Sequence, residues 1–170
     1  MHINSHHRNF IKFIIIASII TIFDLISKEL ILSYLEDIAI TNNISNPKIE
    51  LLPFLNIIYV LNRGISFGMF SNIDNAQLIL SLLQGSITMV IIYILYKSKD
   101  NYNNFAYAII IGGALGNVID RIVNGGVVDF IDLYYHDYHW PAFNVADSSI
   151  FIGVMLIIFK ELLMNKSKND

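Results

Sequence analysis

The chain has 170 residues, of which 55% are apolar and only 15% are charged, and its mean hydropathy is +0.56. This composition excludes an ordinary soluble domain and indicates a membrane protein. The net charge of -3, without a dense basic patch, gives no reason to expect a nucleic-acid partner. No cysteine is present, which excludes disulfides, thiolate catalysis and cysteine-based zinc sites.

Four apolar stretches, each close to the roughly 20 residues that span a bilayer, predict a bundle of four transmembrane helices. They lie at residues 11–35, 78–96, 105–123 and 145–164. The first is predicted to be a retained helix and not a cleaved signal peptide, because no small-residue cleavage site follows it.

Two segments between these helices are expected outside the membrane. Residues 36–76 contain the run Ile57 to Leu61, whose β-branched and aromatic side chains predict short strands in a small β module. Residues 124–144 are expected to form a loop. The whole chain, residues 1–170, is therefore interpreted as one integral membrane domain.

The distribution of basic residues predicts the orientation of the helices, since cytoplasmic flanks are enriched in Lys and Arg. Most of them fall on one side of the four predicted spans: Arg8, Lys12, Lys97, Lys99, Lys160, Lys166 and Lys168. The other side holds Lys48 and Arg63 together with most of the loop acids. We therefore expect both termini in the cytoplasm and the β module on the extracytoplasmic side.

Three of the predicted helices carry acidic residues at a similar depth. With a rise of about 1.5 Å per residue, Asp24 and Asp120 lie past the midplane of a hydrocarbon core about 30 Å thick, on the outer side. Asp147 begins the fourth helix on that same side. Asp24 and Lys28 are four residues apart, so they can pair on one helix face. A single interfacial charge can snorkel to the headgroups, but acids at one level on separate helices indicate a shared polar interior.

The stretch GGALGNVIDR, residues 112–121, combines small and polar residues. Gly112 and Gly116 form a small-xxx-small pattern that allows close helix packing. The glycines do not account for Asn117, Asp120 and Arg121, which we expect to form a polar group beside a reaction site.

Asp129 and Asp147 are the candidate catalytic acids. Asp129 lies in the apolar stretch VVDFID, where desolvation tends to raise a carboxyl pKa, and Asp147 lies where the fourth helix returns to the same membrane surface. Two carboxyls held close together retain one proton between them, and the ionised one can activate water, as in aspartic proteases.

Two rival sites are also present in the sequence. GISFG, residues 64–68, matches G-x-S-x-G and would make Ser66 a nucleophile, although such a short glycine-rich pattern is more often a turn. His136 and His139, with Asp132 or Asp137, could bind a metal. The neighbouring aromatic residues favour a membrane-interface segment instead.

Five separated stretches resemble the lipoprotein signal peptidase family, also called signal peptidase II, in order and spacing over nearly the whole chain. They are DLISK (24–28), NRGISF (62–67), GGALGNVIDR (112–121), VVDFID (127–132) and FNVAD (143–147). The resemblance implies an aspartic endopeptidase of the bacterial cytoplasmic membrane. Such an enzyme removes signal peptides from diacylglyceryl-modified prolipoproteins, cutting before the lipidated cysteine.

The resemblance also implies residue roles. Asp129 and Asp147 match the catalytic pair. The substrate groove and its supporting network would include Asp24, Lys28, Asn62, Gly64, Gly113, Asn117, Arg121, Asn144 and Ala146, to which we add Asp120. The β module becomes a β-cradle lying on the membrane, with a short periplasmic helix over the site. Globomycin-type cyclic peptides are the expected inhibitors, and we expect a monomer with no metal or other cofactor.

Two positions depart from the family pattern: Ser66, where alanine is more common, and Ser149, where a small apolar residue is expected. Neither affects the two catalytic aspartates. A different class of function remains open, namely a small transporter or proton-relay protein that uses intramembrane acids as ion sites. Clustering of the acids at one depth counts against it.

Overall fold

The structure is a computed structural model that describes residues 5–64 and 75–169. This part of the chain contains four long helices: α1 (Ser5–Asn42), α2 (Ala76–Lys97), α3 (Asn101–Asn124) and α4 (Val145–Asn169). Three segments of the described ranges are long and apolar enough to cross a membrane: His7–Asn42, Ala76–Lys97 and Asn101–Asn124. The predicted class, a helical membrane protein with a small β module, is confirmed. The fourth predicted span, in α4, is not among those three segments.

Four strands form one antiparallel sheet in the order β1-β2-β3-β4. Their bounds are β1 (Ile49–Leu52), β2 (Leu55–Asn62), β3 (Val127–Tyr135) and β4 (Tyr138–His139). In the register between β2 and β3, Val60 is opposite Asp129 and Asn62 is opposite Val127. The sheet therefore joins two segments that are distant in sequence, and it places Asp129 beside the end of β2.

The prediction of a loop over residues 124–144 is wrong for Val127–Tyr135 and Tyr138–His139, which form β3 and β4. Valine, isoleucine, phenylalanine and tyrosine dominate β3, and such residues fit a half-buried pleated surface. Pairing with β3 also satisfies backbone groups along the inner edge of β2. The short helix that the resemblance implies over the site is absent from residues 5–64 and 75–169.

The β module also begins later than predicted, because α1 continues to Asn42 instead of ending near residue 35. The helical segment has neither proline nor glycine to stop it earlier. Asn43, with a φ of 54°, follows directly, and this left-handed conformation ends the helix.

α3 lies at the centre of the bundle and packs against α1, α2 and α4. A Cβ atom at Gly112 would lie 2.7 Å from the backbone oxygen of Ala17 in α1, and one at Gly116 would collide with the Asp24 carboxylate. The predicted close packing at these two glycines is therefore confirmed. Glycine at position 116 also leaves room for a buried acid between the two helices.

Large apolar side chains cover the outside of the helices. Phe23 on α1, Leu82 on α2 and Phe159 on α4 are each about 60% exposed. Such a surface fits helices surrounded by lipid, in which apolar exposure carries no hydrophobic penalty.

Candidate active site

Asp129 and Asp147 lie on different elements but line the same cavity, whose volume is about 990 Å³. Asp129 is on β3 and only 2% exposed, and Asp147 is in the first turn of α4. The cavity is also lined by the end of β2, by α2 and α3, and by the residues that precede α4. The structure thus brings together the two acids that the sequence singled out, although eighteen positions separate them in the chain.

Three asparagine side chains hold the two carboxylates. Asn62 Nδ2 donates to Asp129 Oδ2 at 3.0 Å, and Asn144 Nδ2 donates to Asp129 Oδ1 at 2.7 Å. Asn117 Nδ2 donates to Asp147 Oδ1 at 2.8 Å. The side-chain oxygen of Asn144 also accepts from the backbone N–H of Asp147 at 2.9 Å, which caps the start of α4. One side chain, Asn144, therefore contacts both acids.

The environment of Asp129 favours its protonated form. Burial raises the pKa of Asp129 to about 7; the hydrogen bonds from Asn62 and Asn144 oppose this rise, and the nearby charge of Asp147 adds to it. A carboxyl with this pKa exchanges a proton near neutral pH. Together with a second carboxyl on the same cavity, it can divide acid and base roles.

A second acidic pair, Asp24 and Asp120, shares the ammonium group of Lys28. The Lys28 Nζ lies 2.8 Å from Asp24 Oδ2 and 3.2 Å from Asp120 Oδ2, so the predicted pairing of Asp24 with Lys28 is confirmed. All three residues are at most 3% exposed. Lys28 Nζ also donates to Asn117 Oδ1 at 3.1 Å, and through Asn117 this ionic cluster contacts Asp147.

The ionic cluster also fixes the backbone immediately before each cavity acid. Asp24 Oδ1 accepts from the N–H of Ala146 at 2.8 Å, and Asp120 Oδ2 accepts from the N–H of Val128 at 2.7 Å. Ala146 precedes Asp147, and Val128 precedes Asp129. The sequence did not define the partners of Asp120; in the structure they are Lys28, this backbone N–H and the side-chain amide of Asn124.

The two predicted glycines of the site act in different ways. A Cβ atom at Gly113 would collide with the backbone oxygen of Ala146, so glycine lets the start of α4 lie against α3. The N–H of Gly64 donates to Asn62 Oδ1 at 3.0 Å, which turns the Asn62 amide so that its Nδ2 faces Asp129.

Arg121 lines the cavity and contacts α2. Its Nη1 donates to Gln84 Oε1 at 2.6 Å and to the backbone oxygen of Asn117 at 3.3 Å. In the sequence, Gln84 is a polar interruption of the otherwise apolar stretch 78–96. That interruption was the available signal, because a lone amide within a membrane helix usually faces another helix.

The rival sites have different outcomes. Ser66 and the rest of GISFG after Gly64 lie outside the described residues. His139 Nδ1 lies 2.7 Å from Asp132 Oδ1, and Asn56 Nδ2 donates to Asp132 Oδ2 at 2.8 Å. Burial would raise the pKa of Asp132, but these two partners hold it below its usual value. Among the residues whose placement is described, no group of three His, Cys, Asp or Glu side chains could hold a metal ion.

Comparisons with known proteins identify relatives that all belong to one family. The family model of signal peptidase (SPase) II matches residues 16–163. A lipoprotein signal peptidase of Thermodesulfovibrio yellowstonii is 43% identical over 144 residues, covering 85% of this chain and 90% of the relative. One of Pelagibacter ubique is 40% identical over 170 residues, covering 96% and 95% of the two chains.

The fold has solved counterparts as well. A structure described as a bacterial membrane enzyme, obtained by the in meso method at 2.3 Å resolution, superposes with a TM-score of 0.73 at 33% identity. The match covers 94% of this chain and 92% of the other. With the family model spanning most of the sequence, this chain belongs to the signal peptidase II family.

Proposed function

We propose that this protein is a membrane aspartic endopeptidase that removes the signal peptide from diacylglyceryl-modified prolipoproteins, cutting before the lipidated cysteine. The observation that carries the proposal is the placement of Asp129 and Asp147 on one cavity, each held by neutral amide donors. Family membership supports the substrate class, since the relatives are lipoprotein signal peptidases.

In this proposal Asp129 carries the proton shared by the two acids, and Asp147 is the carboxylate that activates water. Asp147 removes a proton from water as the water oxygen bonds to the scissile carbonyl carbon, and Asp129 donates its proton to the carbonyl oxygen. When the tetrahedral intermediate collapses, the carbon–nitrogen bond breaks, Asp147 gives its proton to the departing amine, and one hydroxyl group of the intermediate returns a proton to Asp129, leaving a carboxylic acid. The pKa of about 7 for Asp129 suits a carboxyl that donates near neutral pH.

The supporting residues act by holding this geometry. We assign Asn62, Asn117 and Asn144 to orienting the carboxylates, with Gly64 orienting Asn62 in turn. Arg121 lines the substrate cavity. A second group positions the backbone on which the acids are carried: Asp24, Lys28, Asp120, Gly113 and Ala146.

We also propose four membrane spans with both termini cytoplasmic and the cavity on the extracytoplasmic side. The apolar exposed face of α4 supports a fourth span, and the basic flanks support the orientation. Tyr135, Tyr138 and Trp140 are each more than 65% exposed on the β3–β4 side, as expected for aromatics at a membrane interface. We expect a monomer in contact with membrane lipid and sensitive to globomycin-type inhibitors.

The test is cleavage of a lipidated prolipoprotein by the purified protein in detergent or liposomes, followed by mass spectrometry of the product. Asp129→Asn and Asp147→Asn should each abolish the shortened product. The exposed Asp137 provides the matched control, and Asp137→Asn should cleave at the wild-type rate. A wild-type protein that yields no product cut before the lipidated cysteine would refute the proposal.

The same assay separates the rival functions. Ser66→Ala should still cleave, whereas a serine hydrolase would lose its activity. A transporter or proton-relay protein would release no peptide from any prolipoprotein.

A further inference from the structure

The side chain of Gln84, on α2, contacts Arg121, a residue of the candidate active site on α3. It is half-buried, it lines the 990 Å³ cavity, and its Oε1 accepts from Arg121 Nη1 at 2.6 Å. Two other polar side chains of α2 bond to their own helix: Ser86 donates to the backbone oxygen of Leu82, and Thr88 to that of Gln84. At the start of α2, Gln77 donates to the backbone oxygen of Arg63, so Gln84 is the α2 side chain that reaches Arg121.

Apart from Gln84, the guanidinium of Arg121 has few polar partners. Within the described ranges it forms no ion pair, and its Nε is buried without a hydrogen-bond partner. Its remaining contact is the weaker one to the backbone oxygen of Asn117, at 3.3 Å. Leaving a buried donor unpaired is unfavourable, so the short contact to Gln84 determines where the group lies.

The neutrality of Gln84 also matters. A carboxylate at this position would cancel the charge of Arg121 by direct pairing, whereas an amide oxygen orients the guanidinium and leaves its charge in place. Asp147 and Asp129 are among the groups that interact electrostatically with Arg121. A positive charge held beside two carboxyls stabilises the ionised one, and it also favours negative charge developing on a carbonyl oxygen under attack.

We propose that Gln84 is a positioning residue for the peptidase reaction. Its neutral contact holds Arg121 at the cavity wall, so that the positive charge of Arg121 acts on Asp129, on Asp147 and on the attacked carbonyl. This inference rests on the proposed function. It assigns a role to an amide on α2, the helix in which the sequence shows no acid or base between residues 76 and 96.

The test is a double-mutant cycle on cleavage of a lipidated prolipoprotein. Gln84→Met keeps the side-chain length and removes the acceptor, and we expect kcat to fall about tenfold without a change in thermal stability. In an Arg121→Met background the same change should cost less than about twofold, because its target is gone. Ser86→Ala, an exposed change on the same helix, is the control and should match the wild type.

The pH dependence gives a second readout that packing alone would not move. Gln84→Glu should shift the acid limb of the pH–rate profile to higher pH, since the new carboxylate cancels the charge of Arg121, which favours the ionised form of the cavity acid. Gln84→Met adds no charge and should give a smaller shift. Equal losses from Gln84→Met in both backgrounds, or wild-type kinetics in both Gln84 variants, would overturn the assignment. An inactive wild type would instead refute the proposed function itself.

Discussion

Two pairs of aspartates occupy one connected polar network, yet their surroundings differ. Asp24 and Asp120 are almost completely buried and share the ammonium group of Lys28. Asp129 and Asp147 receive hydrogen bonds from neutral amides and line an open cavity. In the first pair the ammonium group of Lys28 lies between two buried carboxyls, whereas in the second pair amide donors orient carboxyls that face the cavity. The difference separates acids that support the fold from acids suited to chemistry.

The two pairs are nevertheless coupled in space. Each acid of the Lys28 cluster accepts the backbone N–H immediately before one acid of the cavity. The buried pair can therefore position the two cavity acids through the backbone. This arrangement gives a structural role to a lysine and two acids inside a membrane bundle, where unpaired charges are unfavourable.

The largest expected effect comes from breaking the buried pair. Lys28→Met would leave Asp24 and Asp120 without their cation, and removing one partner of a buried ionic group costs about 3–5 kcal/mol. We expect a marked fall in the midpoint of thermal unfolding in detergent. Lys48→Met is the matched control, because Lys48 pairs with Glu50 on the exposed surface and should be dispensable. A Lys28→Met protein as stable as the wild type would contradict the comparison.

A smaller effect is expected from crowding the buried pair. Gly116→Ala places a methyl group against the Asp24 carboxylate, and overpacking of this kind costs about 1–3 kcal/mol. Gly85→Ala on α2 is the control, since a Cβ atom there meets nothing within 4 Å. Thermal unfolding of the two variants should separate them, with a loss only at position 116. Equal midpoints would show that α1 and α3 are not tightly packed at Asp24.

The pH dependence of folding stability tests the protonation of Asp129. The pKa of Asp129 is about 7 in the folded protein against 3.8 for an ordinary aspartate, so between these values the folded state holds a proton that the unfolded state lacks. Its contribution to stability is complete below the ordinary pKa and is lost as the pH rises through about 7. Asp129→Asn should remove this part of the pH dependence of the unfolding midpoint.

The rate of cleavage should depend on the same proton of Asp129. If Asp129 donates it, kcat should fall about tenfold for each pH unit above 7. A pH–rate profile measured under saturating substrate tests this point. Rates that continue to rise at pH 8 and 9 would exclude a protonated Asp129 as the donor.

Most of the features that were predictable from the sequence arise within one element. The pairing of Asp24 with Lys28 follows from helical spacing, and the close packing at Gly112 and Gly116 follows from their small size on one helix face. The apolar runs located α1, α2 and α3 to within a few residues at most ends, because about 20 apolar residues are needed to cross a bilayer.

Contacts between elements were harder to predict. The strand character of Val127–Tyr135 depends on the free edge of β2, which lies more than sixty residues earlier in the chain. The partner of Arg121 depends on the rotation of α2 against α3, which an almost uniformly apolar helix does not reveal. The bridging role of Asn144 likewise requires β3 and α4 to meet. Tertiary packing, and not local pattern, decides each of these contacts.

The most direct test of the distinction between the two pairs compares Asp129→Asn with Asp120→Asn. For each variant, the cleavage rate per folded molecule and the midpoint of thermal unfolding are measured. The account predicts that Asp129→Asn is at least as stable as the wild type at pH 7 and yields no product. It predicts that Asp120→Asn unfolds at a lower temperature but still cleaves, since an asparagine oxygen can accept from Val128. Product from Asp129→Asn, or a fully stable but inactive Asp120→Asn, would contradict it.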